Sequence, residues 1–167
     1  MHERIGCSTR MAERVAQYMA QYHGCAPSTF ALITDELGIE AEQVFKALIG
    51  LSGGVGLVGT SSCGALIGAA AAISLSFNIG RKELAQNLSI EFEIHRAVGK
   101  VVDLFQRYYR GITCIEVQMA KHGAAFNLRD PKSKQEFDKL DKRCPEVVRD
   151  AVMWTLEVLS ELKANPS

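Results

Sequence analysis

The chain has 167 residues and no compositional break, so one domain is expected, long enough to bury a core without disulfide staples. Lys plus Arg number 19 and Asp plus Glu number 19, a formal net charge of +0. That balance gives no electrostatic case for nucleic acid or an anionic membrane surface, and it leaves homodimerisation or docking of a partner protein unopposed by net repulsion.

The pattern is helical throughout. Residues 1–7 are expected to be disordered, outside a core of about 8–162. They also lack the apolar run and cleavage site of a secretory signal, so the expected location is the cytoplasm. Ser8 is positioned to cap a first helix to about Tyr22, with Met11, Val15, Tyr18, Met19 and Tyr22 on one face. His23-Gly24 stops it. Cys25-Ala26-Pro27 opens a second helix to Gly38, with Pro27 in a first turn where its missing N–H costs nothing. A third is expected from roughly Glu40 to Leu51, with Val44, Phe45 and Leu48 inward. Gly53, Gly54, Gly56 and Gly59 then break the pattern before it re-enters a helix at Cys63, continuing to about Phe77.

No charged residue occurs between Lys46 and Arg81. A membrane span needs about 20 apolar residues. Here the glycine loop interrupts the stretch, and its second half is mostly Ala, Gly and Ser. A buried central helix is therefore expected, with no membrane insertion. Gly64, Gly68 and Ala72 recur every four residues, which lets another helix approach closely. From Glu83 to Tyr109 the pattern is helical again, with a break expected near Gly99 and a stripe of Val98, Val101, Val102, Phe105 and Tyr109. Gly111 ends it, and Thr113-Cys114 starts a short helix to about Lys121. Gly123 to Arg143 is polar, with Asp130-Pro131 forcing a turn. Cys144-Pro145-Glu146 opens the last helix, lined by Val148, Val152, Thr155, Leu159 and Leu162. The expected fold is all-α, a single-domain bundle of about six to seven helices with a glycine-rich loop before a buried central helix.

Five cysteines in a reducing compartment do not fit a disulfide framework, and the odd count argues the same way. Cys25, Cys63, Cys114 and Cys144 each fall at a predicted helix start, near unpaired backbone N–H groups and the positive end of the helix dipole. That setting favours thiolate, the form that attacks or binds metal. Four converging helix starts would suit an iron–sulfur cluster, which commonly takes four Cys thiolates. Pairs of thiols cycling with disulfides are a second reading. A closed zinc site is a third, although no C-x-x-C occurs. Free cysteines acting only as small buried hydrophobes are the bland alternative. Cys7 is set aside, because the intervening helix would hold it roughly 25 Å from Cys25.

Cys63-Gly64-Ala65-Leu66-Ile67-Gly68 resembles the CGAxxG signature of the C_GCAxxG_C_C family of redox-active proteins. That family carries one cysteine upstream of the signature and two downstream, and here Cys25, Cys114 and Cys144 stand in that order. The glycine run Gly53-Gly54-Val55-Gly56 is also similar to the family, and the likeness covers roughly residues 8 to 162. It implies a helical fold and a redox role, without a substrate. A similar cysteine-bearing region occurs in the split-Soret type of cytochrome, where an iron–sulfur centre accompanies haem; no C-x-x-C-H is present here, so covalent haem is not implied. Arg110 stands before Cys114 where the likeness leads one to expect glycine.

The remaining candidates are weaker. His23, two residues before Cys25, and His122, eight after Cys114, are potential ligands or proton donors, though helix-end contacts are commoner; His95 and His2 are not assigned. Gly54-Val55-Gly56-Leu57-Val58-Gly59 fits G-x-G-x-x-G literally, but that fingerprint needs a preceding strand. No Ser-His-Asp or paired-carboxylate arrangement stands out. Asp35-Glu36 and Glu91-Phe92-Glu93 read as solvated faces, and Lys132, Lys134, Lys139, Lys142 and Arg143 alternate with acids rather than forming a basic patch. The cluster reading is preferred narrowly, because dithiol enzymes usually carry a close cysteine pair. Its ligands would be Cys25, Cys63, Cys114 and Cys144, with Gly54, Gly56 and Gly64 as the backbone that approaches it.

Overall fold

The computed structural model describes residues 2–140 and 144–164, with side chains described from Thr9 onward except that of Leu88. Its helices are α1 (His2–Tyr22), α2 (Cys25–Leu37), α3 (Glu42–Leu48), α4 (Gly64–Ser76), α5 (Arg81–Gln86), α6 (Leu88–Tyr109), α7 (Cys114–His122), α8 (Pro131–Asp138) and α9 (Pro145–Ala164). A 3₁₀ turn, Ile49–Leu51, continues α3. Among the described residues there is no strand, only an isolated antiparallel bridge between Ser62 and Thr113. Among the described residues no helix is long and apolar enough to cross a membrane.

The bundle is built around α2 and α4, both buried over most of their length. They touch backbone to backbone. A Cβ at Gly68 would overlap the Ala26 carbonyl oxygen, and one at Gly64 would overlap the Cys25 sulfur. The small-residue stripe of α4 is thus the groove that receives the first turn of α2. Around this pair pack α1, α6 and α9 through Val15, Val101, Phe105, Val148 and Val152, all at most 1% exposed. Burying side chains of that size contributes roughly 1.5–3 kcal/mol each.

Several boundaries differ from the sequence expectation. α1 begins at His2 rather than at Ser8, so Ser8 is not its cap. Side chains of residues 1–8, Cys7 among them, lie outside the described residues. The break expected at Gly99 occurs instead at Asn87, whose side chain accepts the Ser89 N–H at 3.1 Å and caps α6. Gly99 sits within α6 with nothing within 4 Å of where a Cβ would stand. The polar stretch after Gly123 is not only a turn. Asp130 accepts the Ser133 N–H at 2.8 Å and Pro131 occupies the first turn, which starts α8. Arg110 takes the left-handed conformation that ends α6, at φ 57°, in place of the expected glycine.

Candidate functional site

Each of the four cysteines stands where a helix begins. Cys25 is the first residue of α2, Cys63 caps α4, and Cys114 is the first residue of α7. Cys144 directly precedes α9, and its carbonyl accepts the Val148 N–H at 3.0 Å. Thr113 fixes the start of α7 through a capping box: its hydroxyl accepts the Glu116 N–H, and the Glu116 carboxylate accepts the Thr113 N–H at 2.9 Å.

Loop pairing brings these starts together. The Cys63 N–H donates to Ile112 O at 2.7 Å and the Cys114 N–H donates to Ser61 O at 3.0 Å. The Ala26 N–H donates to Ser52 Oγ at 3.2 Å, tying the start of α2 to the glycine loop. As a result every one of the four thiols lies within electrostatic reach of the other three. Cys25, Cys114 and Cys144 line a cleft of about 560 Å³ whose walls include Met19, Leu57, Leu128 and Phe137. Cys63 is 4% exposed and lies outside that lining. The four cysteines are free thiols. Among the described residues, no three His, Cys, Asp or Glu side chains form a group that could hold a metal ion.

Protonation runs against the sequence expectation of thiolates. Burial pushes Cys63 well up, the other three thiols add to it, and the Ala65 N–H pulls partly back. Burial raises Cys114 too, opposed by a hydrogen bond from Gln118. Cys144 is pushed up to about 12 by burial, with Cys25 and Cys114 adding and Lys121 opposing. Removing a charged sulfur from water costs more here than a helix start returns.

Five consecutive residues of the glycine loop, Gly53 to Leu57, have φ between 58° and 73°. They form one left-handed turn, which costs non-glycine residues such as Val55 and Leu57 roughly 1–2 kcal/mol each. Of the three glycines expected near a cofactor, Gly54 and Gly64 adjoin cysteines: a Cβ on Gly54 would stand 3.0 Å from the Cys114 Cβ. Gly56 does not. It is exposed, and its carbonyl accepts from Arg129 Nε at 2.9 Å. Helices, not a strand, precede the loop, so the dinucleotide fingerprint has no structural support.

His23 lines the cleft in a left-handed conformation. His122 instead packs against Phe126 and Phe137, with ring centroids 6.5 and 5.8 Å away, and burial lowers its pKa. Two neighbours of the cysteines escaped sequence reasoning. Gln118 is fully buried beside Cys114, and Tyr109, within electrostatic reach of Cys63, donates from its hydroxyl to Asp150 at 2.6 Å. The spacing of Gln118, four residues after Cys114 on one helix, was the available signal.

No curated protein and no solved structure matches the chain. Residues 23–158 match the model of the family described as "Putative redox-active protein (C_GCAxxG_C_C)". The matched stretch contains the glycine loop and all four clustered cysteines and leaves Cys7 outside. The chain therefore belongs to the C_GCAxxG_C_C family of redox-active proteins.

Proposed function

We propose that Cys25, Cys63, Cys114 and Cys144 ligate an iron–sulfur cluster that serves electron transfer or redox sensing with a partner protein in the cytoplasm. The observation that carries this reading is the meeting of four thiols, from four separate helix starts, in one mutually interacting group beside an open cleft. The donor set is the one such clusters commonly use, and the absence of a side chain at Gly64 lets the Cys25 sulfur pack against the start of α4. When bound, the cluster supplies one-electron chemistry at a potential set by its surroundings.

The chain's own groups have definite tasks. The four cysteines give up their protons on loading, so occupancy rises with pH. Gln118 Nε2 donates to the Cys114 sulfur at 3.2 Å and the nearby Ala65 N–H acts in the same direction on Cys63, which favours negative charge there. Gly54 lets the loop backbone lie against Cys114. A zinc site with Zn–S of about 2.3 Å needs its sulfurs within roughly 4 Å of one another, a tighter cage than several irons require. A cofactor-free thiol–disulfide enzyme or sulfur carrier is the alternative reading; burial opposes the thiolate it needs at three of the four sites, as it does for a metal ligand, and the C-x-x-C pair usual in such enzymes is absent.

The test is anaerobic purification from iron-replete cells. Brown protein with iron and acid-labile sulfide is expected, and serine at Cys63 abolishes both. Colourless, iron-free protein overturns the reading. A reversible disulfide among the four cysteines in that preparation would establish the dithiol alternative, and stoichiometric zinc the third.

A further inference from the structure

Gln118 is fully buried on α7, one turn after Cys114. An unsatisfied amide there would cost about 1–3 kcal/mol, yet this one is bonded at both ends. Its Nε2 donates to the Cys114 sulfur at 3.2 Å, and its Oε1 accepts the Phe126 N–H at 2.7 Å. The second bond decides which way the amide points. A backbone N–H needs an acceptor, so the oxygen is committed to Phe126 and the NH₂ group is left facing sulfur.

Phe126 belongs to the segment that walls the cleft. It packs on Phe137 with ring centroids 5.6 Å apart, and Phe137 and Leu128 both line the opening beside Cys114. Arg129 Nε fastens the same segment to Gly56 O at 2.9 Å. A single buried side chain thus bridges the cleft wall and one of the four sulfurs.

We propose that Gln118 is a positioning residue for the cysteine centre, oriented by the Phe126 backbone so that it always presents a donor to the Cys114 sulfur. Its effect on a potential rests on the cluster reading above; its bridging role does not. Hydrogen bonds to ligand sulfurs tune iron–sulfur potentials. Partners behind a metal ligand typically matter about 10–100-fold in metal affinity.

Two variants of the full chain test this. Gln118→Met keeps the volume and loses both bonds. Gln118→Glu keeps an acceptor for Phe126 and, assayed at alkaline pH where its buried carboxyl is ionised, loses the donor to sulfur. In iron-free protein, iodoacetamide alkylation of each cysteine is followed by mass spectrometry. Both variants are expected to slow Cys114 about threefold or more relative to Cys25, since the bond that favours its thiolate is gone. Hydrogen exchange over residues 120–140 is expected to quicken in Gln118→Met and not in Gln118→Glu. In iron-loaded protein, both variants shift the reduction potential negative and lose iron to a chelator about tenfold faster. Unchanged alkylation of Cys114 overturns the proposal, as does faster alkylation, the mark of a merely loosened helix. Should Gln118→Met fail to fold, Gln118→Glu decides by the same alkylation ratio. Colourless wild-type protein would sink the cluster reading alone, with alkylation and exchange still deciding the role of Gln118.

Discussion

Ser62 and Thr113 pair as an isolated antiparallel bridge, and that bridge sets Cys63 beside Cys114. The two residues are 51 positions apart in sequence, and each is followed at once by a cysteine at a helix start. Two backbone hydrogen bonds, Cys63 N–H to Ile112 O and Cys114 N–H to Ser61 O, therefore fix the spacing of the two cysteine backbones.

The cap behind Cys114 is open to mutation. Thr113→Ala removes the hydroxyl that accepts the Glu116 N–H and is expected to cost about 0.5–2 kcal/mol in urea unfolding. Glu116 adds a pH signature. Its carboxyl is held below the ordinary carboxylate range, first by the Thr113 N–H and hydroxyl and then by the Ile112 N–H. The difference in stability between wild type and Glu116→Gln is full above the ordinary range and fades as pH falls through the lowered value. A difference that persists at strong acid contradicts this.

Glycines of the same type should respond in opposite directions. Gly68→Ala forces a Cβ into the Ala26 carbonyl, where backbone must move, and is expected to destabilise by about 1–3 kcal/mol. Gly99→Ala adds a methyl to open space within α6 and is expected to stabilise by about 0.5–1 kcal/mol. Thermal melts of both variants, with wild type alongside, check the pair.

The left-handed turn stores strain that one substitution releases. Val55 holds φ 58° while 39% exposed, so little packing is lost on truncation. Relief of about 1–2 kcal/mol outweighs the roughly 0.4–1 kcal/mol of added unfolded-state entropy in Val55→Gly. A modestly higher denaturation midpoint is expected, and a lower one would show that the side chain packs in a way its exposure conceals.

In iron-free protein, alkaline pH should unfold the bundle early. Cys144 titrates near 9 when unfolded and is pushed up to about 12 when folded, and Cys63 and Cys114 shift in the same direction. The unfolded chain therefore loses protons first. Stability is full below pH 9 and falls as pH rises toward 12, with Tyr109 adding to the loss above about 10. Replacing Cys144 with alanine should flatten that decline in a pH series of urea midpoints.

The helical class was legible because apolar residues recur at helical spacing on α1, α6 and α9, and because Pro27 and Cys144-Pro145 mark helix starts in ways that local chemistry dictates; Asp130-Pro131, read as a turn, carried the same cap chemistry and starts α8. Gly99 misled, since the roughly 1 kcal/mol that glycine costs a helix is outweighed by the burial of Ala97, Val101 and Phe105 on one face of α6. Asn87 broke the helix instead, because its side chain offers the next turn a cap. Family membership was legible too, as four cysteines in order around CGAxxG are a one-dimensional pattern.

By itself, then, the sequence determined the long helical segments and that a cysteine stands at the head of four helices, because caps, prolines and apolar stripes act within a few residues along the chain. Only the tertiary structure decided that those heads meet, that Gln118 turns its amide toward Cys114, and that burial rather than the helix dipole governs the thiols of Cys63, Cys114 and Cys144. Those outcomes depend on which distant atoms exclude water from a sulfur, and no local pattern records that.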